Sequence, residues 1–110
     1  MEMKMDIQTL SFRANDALID FAEGKINKLE QYSEKVMEAQ MTLKIGRSGT
    51  RQNKYCQIRL VIPGYDLFTS KQCEPFEEAI LKTSEALKQQ MYRWKNNYKN
   101  LSLSKESLRR

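Results

Sequence analysis

Two stretches of alternating apolar and polar residues, joined by a polar loop, restrict this chain more than any other feature of its sequence. Residues 39–45 carry apolar side chains at every odd position, and residues 55–62 carry them at every even position. A period of two residues is that of a strand with one buried face. The loop between them, residues 46–54, contains two glycines, so the two stretches predict a β-hairpin.

Weaker signals predict one more strand on each side of the hairpin. Residues 5–9 alternate over a strand of about six residues near the start of the chain. After the hairpin, the dipeptide Pro63-Gly64 indicates a turn. A last strand is expected from about residue 66 to residue 72.

Two helices are predicted from apolar residues that recur every three or four positions. Asn15 is a typical N-cap for a first helix at about 15–32, and Asp16 suits the positive end of its dipole. Pro75 stands where the first helical residue of a second helix at about 75–100 is expected. The apolar stripes are Leu18, Phe21, Ala22, Leu29 and Tyr32 in the first helix, and Phe76, Ala79, Ile80, Thr83, Leu87, Met91, Trp94 and Tyr98 in the second.

The order β-α-β-β-β-α predicts an α+β two-layer sandwich, in which a four-stranded sheet carries both helices on one face. The helix between the first two strands allows them to pair in parallel through a right-handed crossover, and the remaining strands form an antiparallel meander. The other face of the sheet is polar enough to stay in water. A length of 110 residues suits a single domain, expected at 1–100, with a mobile basic tail at 101–110.

The composition excludes several classes of function. The chain contains no His, which removes His-based catalytic sites and His metal ligands. Its two cysteines, Cys56 and Cys73, do not form a CxxC pair and are expected to be packed thiols in a reducing cytoplasm. No nucleophile, base and orienting group are brought together, so we expect a binding protein without catalytic residues, cofactor, metal or small-molecule substrate. The sequence has no apolar run of membrane-spanning length, and the charged residues near its start lead us to expect no secretory signal.

The net charge of +5 is distributed in blocks. Residues 1–38 and 66–85 each carry a net charge of −3, whereas residues 39–65 carry +5 and residues 86–110 carry +6. Such blocks indicate an electrostatic footprint for phosphate groups, although a run of charges can also be an ordinary solvated surface. The hairpin block contains Lys44, Arg47, Arg51, Lys54 and Arg59, and one flank of the second helix carries Lys88, Tyr92, Lys95 and Lys99.

Lys25 is unusual because its angle on the helical wheel lies inside the stripe of Leu18, Ala22 and Leu29. Its aliphatic stem could cover the edge of the core while the ammonium group reaches water. Alternatively, the ammonium group is directed at a partner. The wheel alone leaves both interpretations open.

The chain also resembles a known family, the ribosome hibernation promoting factors and ribosome-associated translation inhibitors. In the first helix the resemblance rests on residues 15–21, Lys25 and residues 28–32. In the second helix it rests on Phe76, residues 79–80, residues 87–91 and residues 93–95. In the middle of this helix, Ala86 and Gln89 stand where the family usually has further basic residues. The resemblance extends over residues 5–100 and includes the order of helices and strands.

The resemblance implies a fold similar to double-stranded-RNA-binding domains, and binding to the 16S-type ribosomal RNA of the small ribosomal subunit. There the protein would occupy the channel of messenger and transfer RNA and block translation in starved or stationary-phase cells. The resemblance is to the short form of the family, and it implies a cytoplasmic factor that is monomeric off the ribosome. The contacts carried over by position are Lys25, Lys28, Lys88, Arg93 and Lys95. Adding the basic positions of the hairpin and helix flank, the candidate RNA-binding residues are Lys25, Lys28, Lys44, Arg47, Arg51, Lys54, Lys88, Arg93, Lys95 and Lys99.

Other classes of function compete with this interpretation. The chain could be a generic module for structured RNA without ribosome specificity. It could also be a protein-interaction domain in which the basic blocks are incidental, or an enzyme acting on nucleotides, against which the missing His and the missing carboxylate or metal cluster argue. Cosedimentation with small subunits rather than with free duplex RNA separates the first alternative from a hibernation factor.

Overall fold

The predicted order of helices and strands is present in the computed structural model, which describes residues 4–31, 36–46 and 51–108 and the side chains among them except those of Tyr65 and residues 96–108. The six elements follow one another as β-α-β-β-β-α. Their bounds are β1 Lys4–Leu10, α1 Asp16–Glu30, β2 Glu38–Ile45, β3 Lys54–Ile62, β4 Tyr65–Cys73 and α2 Phe76–Leu108.

The four strands form one sheet in the order β1-β2-β3-β4. Strand β1 pairs with β2 in parallel, whereas the β2–β3 and β3–β4 pairs are antiparallel. The turn between β3 and β4 is the one predicted, since Pro63 precedes Gly64, whose φ of 74° suits glycine. These pairings confirm the parallel crossover and the meander expected from the sequence.

Both helices cover the same face of the sheet, as predicted. The core includes the buried apolar positions of β2 and β3 and Leu67 of β4, together with Ala22, Ile26 and Leu29 of α1 and Ile80, Leu87 and Met91 of α2. Ile26 belongs to this core although the predicted stripe omitted it. Tyr32, which the stripe included, lies outside the described residues.

The opposite face of the sheet, here called the open face, carries a mixture of polar and charged side chains. It consists of alternate residues from each strand, and the register brings these into rows across the sheet. Gln57 and Arg59 are exposed there, as predicted, but so is Phe68, an aromatic residue with 51% of its surface exposed.

Both helices begin at the end of the sheet that holds the hairpin loop. The last residue of β1, Leu10, pairs with Lys44, and the last residue of β4, Cys73, pairs with Lys54, so all four lie at this end. From there α1 and α2 run side by side toward the opposite end.

The capping of α1 agrees with the sequence, whereas the ends of both helices differ from it. Asn15 accepts a hydrogen bond from the Leu18 backbone N–H at 2.8 Å. Helix α1 ends at Glu30, two residues earlier than predicted, and α2 continues to Leu108, eight residues beyond its predicted end. No Gly or Pro interrupts residues 76–108, so local helical bonding can continue there although apolar residues become sparse. The mobility expected of the 101–110 tail stays a prediction.

Candidate nucleic-acid interface

Lys25 lies on α1 with its ammonium group above an aromatic ring. Its Nζ is 5.4 Å from the centroid of the Phe21 ring, and the side chain is half-buried. The two residues are four positions apart, which places them on one side of the helix. The contact is a cation–π interaction, so the local environment of Lys25 is neither bulk water nor apolar core.

Lys28 is exposed and lies one turn further along α1. It is in the last turn, where the negative end of the helix dipole favours a cation. This gives Lys28 a structural role that is compatible with contact to a phosphate.

The second half of α2 contributes cations at the same end of the molecule. Arg93 is exposed, and Lys88 and Lys95 are half-buried, with an aromatic side chain, Tyr92, 51% exposed between them. The backbone of Lys99 continues the helix, while its side chain lies outside the described residues. Because α1 and α2 run side by side, Lys28 and these residues of α2 belong to one end of the helical layer, here called the helix end.

The hairpin contributes cations at the opposite end. Arg51 is exposed in the loop, and Lys54, the first residue of β3, donates a hydrogen bond to the side chain of Asn53. The backbone N–H of Gly46 donates to the Asn53 carbonyl at 2.7 Å, which closes the base of the hairpin. Arg47 lies outside the described residues.

Lys44 and Arg59, both from the hairpin block, lie on the open face, away from the helices. Lys44 is exposed beside Tyr55. Arg59 pairs with Asp66 of the adjacent strand, and its Nε donates to Asp66 Oδ2 at 2.8 Å. The charge of Arg59 is therefore partly neutralised within the protein.

The predicted cations whose side chains the structure describes thus do not form a single surface. Arg51 and Lys54 lie at the end of the sandwich that holds the hairpin loop, here called the hairpin end. Lys28, Lys88 and Arg93 lie at the helix end. From the start of α2 to Arg93 there are 17 residues, so the two groups are about 25 Å apart along the helix axis. Such a distance suits two attachment points on an extended or folded RNA better than one phosphate site.

One cation was missed by reasoning from sequence. Arg13 is exposed in the connection between β1 and α1, at the hairpin end. Its neighbour Phe12 stacks on Phe76 at the start of α2, with ring centroids 4.5 Å apart and planes inclined by 18°. This stack holds the connection in place. The sequence feature that could have indicated this arrangement is an aromatic residue, Phe12, three positions before the predicted N-cap Asn15.

The described residues do not bring together the side chains that a metal site requires. Residues 4–31, 36–46 and 51–108 contain no group of three or more acidic or Cys side chains placed to hold an ion. Both cysteines are buried free thiols, as expected, and burial raises the pKa of Cys56 to about 12. Among the helices described, none has both the length and the apolar character needed to cross a membrane.

Comparison with known proteins adds a family and a fold. The sequence model of the family described as sigma 54 modulation protein / S30EA ribosomal protein matches residues 5–99. The ribosome hibernation promotion factor of Deinococcus radiodurans is 26% identical over 99 residues, which cover 86% of this chain and 51% of that protein. The chain therefore spans about half the length of this curated relative.

Two solved structures share the fold. A ribosomal subunit interface protein from Coxiella burnetii superposes with a TM-score of 0.76 at 13% identity, over 86% of this chain and 99% of the other. The N-terminal domain of Thermus thermophilus Protein Y superposes with a TM-score of 0.70 at 20% identity, over the same shares of the two chains.

Proposed function

The chain belongs to the sigma 54 modulation protein / S30EA ribosomal protein family, as its resemblance predicted, and we propose that it is a ribosome hibernation factor. In this proposal the domain binds the RNA of the small ribosomal subunit, in the channel that messenger and transfer RNA occupy. It blocks translation in resting cells by occupying that channel, in the cytoplasm and without catalysis.

The observation that carries the proposal is the division of the described cations between the two ends of one sandwich. Lys28, Lys88, Arg93 and Lys95 supply the helix end and Arg51 the hairpin end. Phosphate contacts at two points fix both the position and the orientation of a protein on RNA. The curated relative is named a ribosome hibernation promotion factor, which supports ribosomal RNA as the RNA that this chain binds.

This mechanism requires only that the protein binds the RNA of the subunit and is large enough to exclude other ligands from the channel. Lysine and arginine side chains that neutralise phosphates release counterions, which favours binding in dilute salt. The sheet and the helices then form a body that excludes other ligands from the site. No residue has to change its protonation state for this activity.

The proposal is tested by measuring the affinity of the protein for purified small ribosomal subunits over a range of salt concentrations. If about six phosphates are neutralised, the logarithm of the affinity falls with the logarithm of the salt concentration at a slope near −4. A slope near zero between low and physiological salt contradicts the proposal.

Charge-removing variants test the two attachment points. Arg93→Gln at the helix end and Arg51→Gln at the hairpin end should each weaken binding and reduce the slope by about 0.7–0.9. Lys4→Gln is the matched control, because Lys4 is an exposed lysine of β1 that does not belong to the candidate RNA-binding residues. Equal effects of all three variants indicate a diffuse charge effect rather than two attachment points.

The competing function is a generic module for structured RNA. It predicts equal affinity for free duplex RNA and for small subunits at the same salt concentration. A hibernation factor instead prefers the subunit and inhibits translation of a reporter messenger RNA in a reconstituted system. Loss of that inhibition in Arg93→Gln, restored by raising the protein concentration, supports occupation of the channel.

A further inference from the structure

A groove of about 420 Å³ lies between the end of β4 and the flank of α2. Lys71 and Cys73 line it from the strand, and Lys82, Glu85 and Ala86 line it from the helix. Ala86 is the smallest of these side chains and leaves room at the middle of the helical wall. None of these residues belongs to the candidate RNA-binding set.

Strand β4 is an edge of the sheet, and part of its backbone faces away from β3. The Phe68 carbonyl accepts a hydrogen bond at 3.1 Å from Nε2 of Gln90, a residue of α2, so this carbonyl points outward. In an antiparallel pair the outward groups recur at every second residue, which places the backbone N–H and C=O of Ser70 and Gln72 on the same free edge. In the described part of the chain, no helix or loop backbone pairs with Ser70 or Gln72.

An edge with alternating outward donors and acceptors matches the backbone of another extended chain. We propose that β4 binds an extended protein segment as a fifth strand, and that this segment carries a carboxylate opposite Lys71 and an apolar side chain opposite Phe68. The side-chain amide of Gln90 now bonds the carbonyl that the incoming backbone would take over.

The positions of the carboxylate and the apolar side chain in the partner segment follow from the faces of the sheet on which Lys71 and Phe68 lie. Lys71 shares the helix-covered face and lines the groove, whereas Phe68 lies on the open face with half of its surface exposed. These residues are three positions apart, so the carboxylate and the apolar side chain of the partner must also be three positions apart, on opposite faces.

The charges around Lys71 explain why the partner segment should carry a carboxylate opposite this residue. Lys82 is paired with Glu78 at 2.9 Å, whereas Lys71 has no ion pair among residues 4–31, 36–46 and 51–108. Residues 66–85 carry five acidic side chains against two lysines. This surface repels a phosphate backbone with one charge per nucleotide but accepts a single carboxylate next to Lys71, which favours a protein segment over RNA.

The proposal does not depend on ribosome binding and is tested with synthetic peptides. The probes are blocked eight-residue peptides of threonine in which Phe and Glu stand three positions apart, in both orders because the segment could run either way. They are added to the ¹⁵N-labelled full chain. The backbone amide signals of Ser70 and Gln72 should shift with peptide concentration, while that of Asp6 on β1, the other edge of the sheet, should not.

Three changes should weaken this binding. Replacing the peptide Glu by Gln, or making Lys71→Glu in the protein, should each reduce affinity about fivefold, the upper range for an exposed ion pair. Ala86→Leu keeps a good helix former but fills the groove, and should abolish the shifts. Lys4→Glu is the matched control and should bind as the parent does.

Three results would overturn the proposal. The first is the absence of shifts at Ser70 and Gln72 with either peptide. The second is equal binding by Lys71→Glu and Lys4→Glu. The third is a dimer whose formation in sedimentation depends on protein concentration and produces the same shifts without peptide, because a second copy would then be the occupant of the edge.

Discussion

The ammonium group of Lys25 lies over the ring of Phe21, one helical turn before it, with Nζ 5.4 Å from the ring centroid. The contact holds the head of a half-buried lysine on the outer side of α1. It explains why a cation is tolerated at a position where the helical wheel calls for an apolar residue.

Lys25→Met separates the structural contribution of this lysine from its contribution to binding. The variant loses a cation–π contact of about 0.5–1 kcal/mol but places an apolar side chain beside the core, so we expect its stability to change by less than about 1 kcal/mol. Binding to small subunits should weaken, with the salt slope reduced by about 0.7–0.9. Thermal melts and salt-dependent affinities of both proteins check this.

Lys25→Arg is the control, because it keeps the charge and the stacking on Phe21. It should bind small subunits with nearly the parental salt slope. If Lys25→Met is stable and binds as tightly as the parent, with an unchanged slope, Lys25 serves only the packing of α1.

The thiol of Cys56 makes the stability of the fold fall at high pH. Its side chain is fully buried on β3, and burial raises its pKa from 9.0 to about 12, with the hydrogen bond from Thr83 acting in the opposite direction. Between these values the unfolded chain has lost the proton that the folded chain keeps. The free energy of unfolding should therefore decrease by up to about 1.4 kcal/mol per pH unit from this group.

Comparison with Cys56→Ala isolates this effect, because the two proteins share every other titratable group. The difference in unfolding free energy between parent and variant, followed by urea denaturation from pH 8 to pH 11, should shrink as the pH rises above 9. A constant difference over this range would mean that Cys56 ionises as easily in the folded protein as in the unfolded chain.

Two neighbouring hydroxyl groups of α2 should respond to removal in opposite directions. Thr83 is fully buried, and its Oγ1 lies 2.6 Å from the Ala79 carbonyl and 3.2 Å from the Cys56 carbonyl. Ser84 is also buried, but its Oγ has no hydrogen-bond partner among the residues that the structure describes. Thr83→Val should therefore cost about 1 kcal/mol, whereas Ser84→Ala should stabilise the protein by about 1 kcal/mol.

Urea denaturation of the two single variants and of the double variant checks this pair. Since Thr83 points to β3 and Ser84 has no partner to lose, the effects should add in the double variant. Destabilisation by Ser84→Ala would show that its hydroxyl has a partner in solution, such as a buried water.

The fold could be predicted from the sequence because its strongest signals are local. The period of two in β2 and β3, the cap at Asn15 and the turn at Pro63-Gly64 each depend on residues close together in the chain, and all three are present in the structure. The end of α2 was misjudged because the prediction required apolar residues to continue the helix, whereas residues 101–108 are helical without such a stripe.

The candidate site was less predictable because charge blocks along the chain do not indicate faces. In a strand, successive side chains point to opposite sides, so the block at residues 39–65 is divided between the hairpin end and the open face. Arg59 meets Asp66 diagonally across the β3–β4 hairpin, where the register places Phe68 opposite Arg59 and Val61 opposite Asp66, and composition does not reveal this contact. The cations of α1 and α2 lie on helices that the sequence predicts, and their contact with RNA stays a prediction.

The base of the hairpin depends on a close approach that only glycine allows. A Cβ at Gly46 would lie 3.2 Å from Cδ2 of the Tyr55 ring and closer still to Cε2, so the half-buried ring covers the glycine backbone. Gly46→Ala must displace the ring or the hairpin and should cost about 1–3 kcal/mol, the range for overpacking. Since the hairpin end carries Arg51, the variant should also weaken binding to small subunits.

A double-mutant cycle identifies the ring as the cause of that cost. In a Tyr55→Ala background there is no ring to displace, so Gly46→Ala should become nearly neutral, which urea denaturation of the four proteins measures directly. The control is Gly24→Ala, because Gly24 lies in α1 with nothing within 4 Å of an added Cβ, and this change should stabilise the helix by about 0.5–1 kcal/mol. An equal cost of Gly46→Ala with and without the Tyr55 ring would place the strain in the backbone between Gly46 and Asn53 instead.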